Sequence, residues 1–205
     1  MRKIIVALSL LAVIACKNKE ENNSEPSIME AADGVKNLNK AADALKDYEK
    51  KTEELKKLSP VSNAVFKQVL TDRLDDLPRT SYNAGAASSM GMSTAEANYG
   101  EVNTKAVKVT LLDGAGETGS AMLAIIHMTL AMDMESIEGT KTEQTEEFNE
   151  YRSLTQNNTD PNSYTNSKIT FIYKERFQIT FEGFKMQLDE LKSYAKRLDL
   201  SQLDQ

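Results

Sequence analysis

Apolar positions recur every three or four residues from Ile28 to Leu58, and every second residue in four later stretches. The first period predicts one long helix. Ile28, Ala31, Val35, Leu38, Ala42 and Leu45 follow a heptad-like seam, which drifts to Ala41, Tyr48 and Leu55. Ser27 with Glu30 reads as a capping box, Asp47–Lys51 and Glu53–Lys57 as (i, i+4) ion pairs, and Pro60 as the stop. A second helix is expected from Val61 to Leu77, with Val65, Phe66, Val69, Leu70 and Leu74 on one side and Pro78 at its end.

From Arg79 the period changes. Arg79 to Asn83 reads as a short strand and 84–91 as a loop. Thr94 to Tyr99 and Lys105 to Leu112 alternate, with Gly100 and its polar neighbours as the hairpin connection. Ala121 to Met134 is apolar nearly all round, which predicts a helix buried on several sides. The polar stretch 139–166 has no clear period; Glu143 to Leu154 fits a strand or a short helix, and 156–166 a long turn. Ile169, Phe171 and Tyr173 alternate, as do Phe177, Ile179 and Phe181, with Lys174-Glu175 as a tight hairpin between them. A last helix runs from Leu188 to about Leu198. The expected fold class is α+β: a long N-terminal helix, then an antiparallel sheet packed by helices on one face. The expected divisions are 1–15, 16–27, a helical segment 28–77 and an α+β domain 78–205.

The first sixteen residues place the chain. Arg2 and Lys3 precede an apolar run, Ile4 to Ala15, broken only by Ser9. That run is too short to span a bilayer, which needs roughly 20 residues, and it has the form of a secretory signal. The order Val13-Ile14-Ala15-Cys16 resembles the lipobox of bacterial lipoproteins, and Cys16 is the only cysteine. The resemblance implies cleavage after Ala15, lipid attachment at Cys16 and a palmitate-bearing N-terminus held in the outer membrane, on its periplasmic or cell-surface side. Lys17 to Ser27 contains no side chain suited to a core and is expected to be a tether. Within it, Lys19, Glu20 and Glu21 resemble the lysine-plus-two-acids signal that exports some Gram-negative lipoproteins to the cell surface; a solvated linker is the competing reading.

Composition narrows the partners. Removing residues 1–15 leaves 190 residues and takes away Arg2 and Lys3, so the net charge goes from −6 to −8. An acidic chain is poorly matched to nucleic acid and to electrostatic binding of anionic lipid. No intramolecular disulfide can form with one cysteine. The segments 79–82, 109–113, 176–183 and 188–192 resemble uncharacterised exported bacterial proteins, a likeness that implies a fold and no function.

Three constellations suggest chemistry. Gly114-Ala115-Gly116-Glu117-Thr118-Gly119 is a literal GxGxxG between an expected strand and an expected helix, the setting of a dinucleotide fingerprint. Glu117 would repel a phosphate there, and no second parallel strand with a ribose-binding acid follows. Met90, Met92, Met122, Met128, Met132 and Met134, with His127 beside them, have donors suited to Cu(I), but methionine on an apolar helix is an ordinary core filler. Asp75-Asp76, Glu146-Glu147 and Asp189-Glu190 are adjacent acids that point apart on regular structure, where hydrolytic pairs must face each other. The expectation is therefore a non-catalytic envelope lipoprotein without cofactor or metal, which binds an envelope partner or is structural. The alternative is a binder of a small ligand or amphiphile, in an apolar pocket between the Met-rich helix and the sheet. Its oligomeric state stays open.

Overall fold

The computed structural model describes residues 28–204, with side chains from residue 35. Ala15, Cys16, Lys19, Glu20, Glu21 and the Ser27–Glu30 capping box lie outside these limits. The elements run α1 (Ile28–Lys56), α2 (Asn63–Val69), β1 (Arg73–Leu74), β2 (Leu77–Ala84), β3 (Ser93–Glu101), β4 (Lys105–Asp113), α3 (Gly116–Ala131), β5 (Glu135–Glu138), β6 (Lys141–Phe148), β7 (Tyr151–Asn158), β8 (Ser167–Tyr173), β9 (Phe177–Phe184) and α4 (Leu188–Ala195). All strands join one antiparallel sheet in the order β1-β2-β3-β4-β9-β8-β7-β6-β5. Two meanders thus grow from opposite edges and meet at β4 and β9, where Val109 pairs with Phe181 and Leu111 with Ile179. The α3 crossover carries the chain from the middle of the sheet to its far edge. Among the described residues no helix is long and apolar enough to cross a membrane.

The α+β class follows from the alternation. One face of the central strands presents Ala95, Ala97, Tyr99, Val107, Val109, Leu111, Ile169, Phe171, Ile179 and Phe181, all nearly inaccessible, to Phe66 and Leu70 of the α2 region and Leu191 of α4. Burial pushes the Tyr99 hydroxyl up to about 12, and its O–H donates to the Thr71 carbonyl at 3.1 Å. The opposite face carries Lys108, Glu182, Lys168, Thr170 and Thr180; Lys108 and Lys168 both pair with Glu182, and the two threonine hydroxyls bond at 3.2 Å.

The expectation of helices on one face is not met, because they cover both. On β8, Phe171 and Tyr173 point to the main core while Ile172 points the other way, against Tyr48, Leu55, Leu123 and Ala124. That apolar footing seats α1 and α3 as an antiparallel pair on the otherwise polar face. The helical segment also ends at Val69, not at 77. The spacing of Leu70, Leu74 and Leu77 suits a helix, but it suits a helix followed by a hairpin equally well. The Arg79 guanidinium takes up the Leu70 carbonyl at the helix end, and Asp75 turns the chain at φ 55°. Pro78 then sits in β2, opposite Arg73.

The polar stretch 139–166 holds the whole of β6 and β7, joined through Asn149 and Glu150, both at positive φ. These strands escape a periodicity reading because they lie towards the outer edge, where β5 is exposed throughout and β6 is half-exposed on both faces. The Lys174-Glu175 hairpin is as expected, with φ values of 50° and 53°. On α1, Lys51 pairs with Glu175 and not with Asp47, and Glu53 pairs with Lys56.

Candidate functional site

Under the helical layer is a cavity of about 210 Å³ lined by His127, Leu130, Ala131, Arg152, Ile172 and Glu175. A shallower opening beside it shares His127 and Glu175 and adds Asp47, Tyr48, Lys50, Lys51 and Glu54 of α1. Four parts of the chain build this place, with α1 along one side. Helix α3 supplies His127, the β8–β9 turn supplies Glu175, and β7 supplies Arg152. The floor and walls are Leu130, Ala131 and Ile172, so polar groups converge on a mainly apolar space, the usual make-up of a small-ligand site. An apolar cavity of roughly 150 Å³ accepts benzene, so the space here suits a ligand of about one ring with substituents.

The polar groups are held in place. The His127 ring stacks on Tyr48 with centroids 4.2 Å apart and 20° between planes. The Tyr48 hydroxyl donates to the Glu175 carbonyl at 2.8 Å, and Lys51 reaches the Glu175 carboxylate at 3.4 Å. Arg152 donates through Nε to the Leu130 carbonyl at 3.0 Å and through one terminal nitrogen to the Met132 carbonyl, the Asp133 carboxylate and Thr145. It therefore caps the C-terminus of α3, whose last carbonyls lack helical partners. Asp133 also accepts from Lys40, and its backbone exchanges two hydrogen bonds with Asn37. These contacts pin the start of α1 to the end of α3.

Burial pulls the His127 pKa down, against the attraction of Glu175 and Asp47. Burial, then the Glu175 charge, pushes Tyr48 well above the ordinary tyrosine range. At neutral pH the cavity therefore faces an uncharged imidazole, backed by the uncharged phenol stacked on it. A histidine whose folded pKa lies below its unfolded value near 6.5 adds stability above that value, and the contribution is lost as pH falls through the folded pKa. Lowering pH from 7.5 to 5.5 should thus lower the melting temperature of the native chain by more than that of His127→Phe, which keeps a stacked ring but cannot titrate. Equal pH slopes by calorimetry would refute the linkage to His127.

The sequence singled out His127 but not Tyr48, Arg152 or Glu175. One signal pointed to Glu175. Hairpin turns that hold two successive residues at positive φ favour Asn-Gly, and the three-residue turn 174–176 puts Lys174 and Glu175 there without either.

The other sequence constellations lie outside this cavity. In the glycine loop, the Ala115 N–H donates to the Asp113 carboxylate at 2.9 Å, so a side chain of the chain itself occupies one of the donors a phosphate would need. A Cβ on Gly119 would stand 2.6 Å from the Asp113 carbonyl oxygen, whereas one on Gly116 would meet nothing within 4 Å. Gly116 has φ 82°. Gly119→Ala should therefore cost several-fold more stability than Gly116→Ala, whose penalty is backbone strain of about 1 kcal/mol. Equal urea midpoints for the two variants would contradict this. The methionines do not share one face: Met122 and Met90 are exposed while Met128 and Met132 are half-buried. In each acid pair one partner is structurally engaged. Asp76 accepts from the Tyr194 hydroxyl at 2.8 Å, Glu146 from Thr155 and Lys192, and Glu190 pairs with Lys105. Among the described residues no three His, Cys, Asp or Glu side chains gather as a metal site would require.

Comparison with protein families, curated proteins and solved structures finds no match in any of the three.

Proposed function

We propose that the chain is a lipid-anchored cell-envelope lipoprotein whose folded part works by binding and not by catalysis. The observation that carries the binding half is the cavity under α3. Its arginine is spent on helix carbonyls and Asp133, and its histidine stacks on Tyr48 with no serine, threonine or cysteine among the lining residues. The lining offers the histidine no hydroxyl or thiol to activate, which supports recognition over acyl transfer through a side-chain nucleophile. The Val13-Ile14-Ala15-Cys16 order supports the anchor. The expected result is palmitate incorporation into the native chain and none into Cys16→Ser; equal label in both removes the anchor.

The reading as a partner-binding or structural envelope component rests on the same anchor. The reading as a small-ligand binder is favoured by the lining of this half-open cavity, where apolar Leu130, Ala131 and Ile172 meet the polar His127, Arg152 and Glu175. Native mass spectrometry of the acylated chain tests it. A bound small molecule lost in Ala131→Trp, which fills the cavity, supports the ligand reading, and an unliganded mass in the native chain counts against it.

A further inference from the structure

Helix α3 is apolar nearly all round, yet it is covered on one side only. Leu123, Ala124 and Leu130 are buried, while Ile125 is 54% and Met122 39% exposed. Helix α1 repeats the pattern. Ala41, Tyr48 and Leu55 are buried, and a stripe spaced three and seven residues apart, Val35, Leu38 and Leu45, runs along the outside at 58%, 69% and 47% exposure. Asn37 meets Asp133 and Tyr48 meets His127, so α1 runs antiparallel to α3, with its residues 37–48 beside the C-terminal half and end of α3. Between the helices Ala42 and Leu45 share an open groove with Ala124. Further along α1 the groove turns polar at Lys46, Glu49, Glu53 and Lys56. Single exposed apolar residues are ordinary, but an apolar stripe along one helix beside a second apolar helix marks a contact surface.

We infer that this apolar face rests on the lipid bilayer that carries Cys16, an inference that depends on the lipoprotein reading. The position of the stripe supports a lipid occupant. It lies at the end of α1 that the chain enters from Cys16, and it fades where the helix runs away from that end. Eleven residues, 17–27, separate Cys16 from Ile28. A random coil of eleven residues spans about 18 Å, and a fully extended one about 38 Å. Anchoring Cys16 therefore holds the stripe beside the membrane at high effective concentration, where an apolar helix face settles into the headgroup boundary. The acidic net charge sets the kind of lipid: contact through Val35, Leu38 and Leu45 needs no anionic headgroup, so a zwitterionic bilayer suffices.

The chain has no tryptophan, so a single introduced one reports without background. Leu38→Trp and Arg197→Trp are compared in the acylated full chain on phosphatidylcholine vesicles, with and without bromine on the acyl chains. Arg197 is exposed just beyond α4, on the opposite side of the sheet. The expected result is a blue shift and about threefold quenching by brominated lipid at position 38, with neither at 197. Absence of quenching at both positions would overturn the inference. So would a blue shift at 38 without lipid, accompanied by a two-chain mass in sedimentation, because the face would then belong to a second copy. The unacylated full-length Cys16→Ser chain separates this question from the anchor. Its partitioning onto the same vesicles at high lipid should fall about tenfold on Leu38→Glu. No difference there defeats the lipid face, whereas failed palmitate labelling defeats only the anchor.

Discussion

Arg176→Ala is expected to destabilise the fold by about 3–5 kcal/mol, the range for breaking a buried ion pair on one side. Arg176 donates to both oxygens of Asp113, each at 2.8 Å, in a bidentate fork, and Asp113 is wholly inaccessible. The same carboxylate accepts from the Val61 and Ala115 backbone N–H groups at 2.8 and 2.9 Å, and Arg176 donates on to the Ser59 carbonyl at 3.2 Å. Four parts of the chain meet here: the end of β4, the turn just before β9, the α1–α2 connection and the loop into α3. Alanine leaves a buried carboxylate with two neutral donors and no counter-charge. Arg176→Lys keeps the charge and loses the fork, so it should fall between alanine and the native residue. Replacing both partners with apolar residues is not expected to rescue stability fully, since the Val61 and Ala115 N–H groups would lose their acceptor. Urea unfolding measures this directly. A loss below about 1 kcal/mol for Arg176→Ala, within the range of an exposed pair, would show that the clamp contributes little.

Much of the sheet's centre is legible in the sequence for a simple reason. β3, β4, β8 and β9 each have one face wholly buried, and a period of two is the direct image of that burial. Asp113 and Arg176 also stand in segments that the sequence marks out, 109–113 and 176–183, though nothing local says that they meet. Legibility fails where burial is two-sided or absent. The half-exposed outer strands β5 and β6 leave no alternation to read. On α1 two seams compete, and composition favours the wrong one: Val35, Leu38 and Leu45 are more apolar than the Ala41, Tyr48 and Leu55 set that is buried. The register is decided by what α1 meets, because Tyr48 finds both the His127 ring and the Glu175 carbonyl. The candidate site is less legible still. Its members come from α1, α3, β7 and a hairpin turn, and Arg152 sits in a strand that periodicity does not reveal. Sequence spacing carries information along one element; a cleft assembled from four carries almost none.

Truncating α3 on its two sides should give opposite outcomes. Leu123→Ala is expected to cost about 2–5 kcal/mol, through lost transfer energy and the cavity left behind, out of a total stability of roughly 5–15 kcal/mol for a domain. Leu123 is fully buried and packs with Tyr48, Leu55 and Ala124, with Ile172 beneath them. Its side chain also fills the space over Gly114, where an added Cβ would come within 2.6 Å of Leu123. Removing it withdraws the contact that seats α1 on α3 and both on the sheet. Ile125, two residues on, is 54% exposed. Ile125→Ala should change stability by less than about 0.5 kcal/mol, as surface substitutions do, and the better helix propensity of alanine offsets part of even that. The contrast separates a helix buried all round, which the sequence alone suggests, from one buried along a single stripe. Matched thermal and urea unfolding of the two variants distinguishes them. A large loss in both would mean that Ile125 is covered in the folded protein in solution, and a small loss in both would mean that α1 and α3 contribute little to the stability of the sheet beneath them.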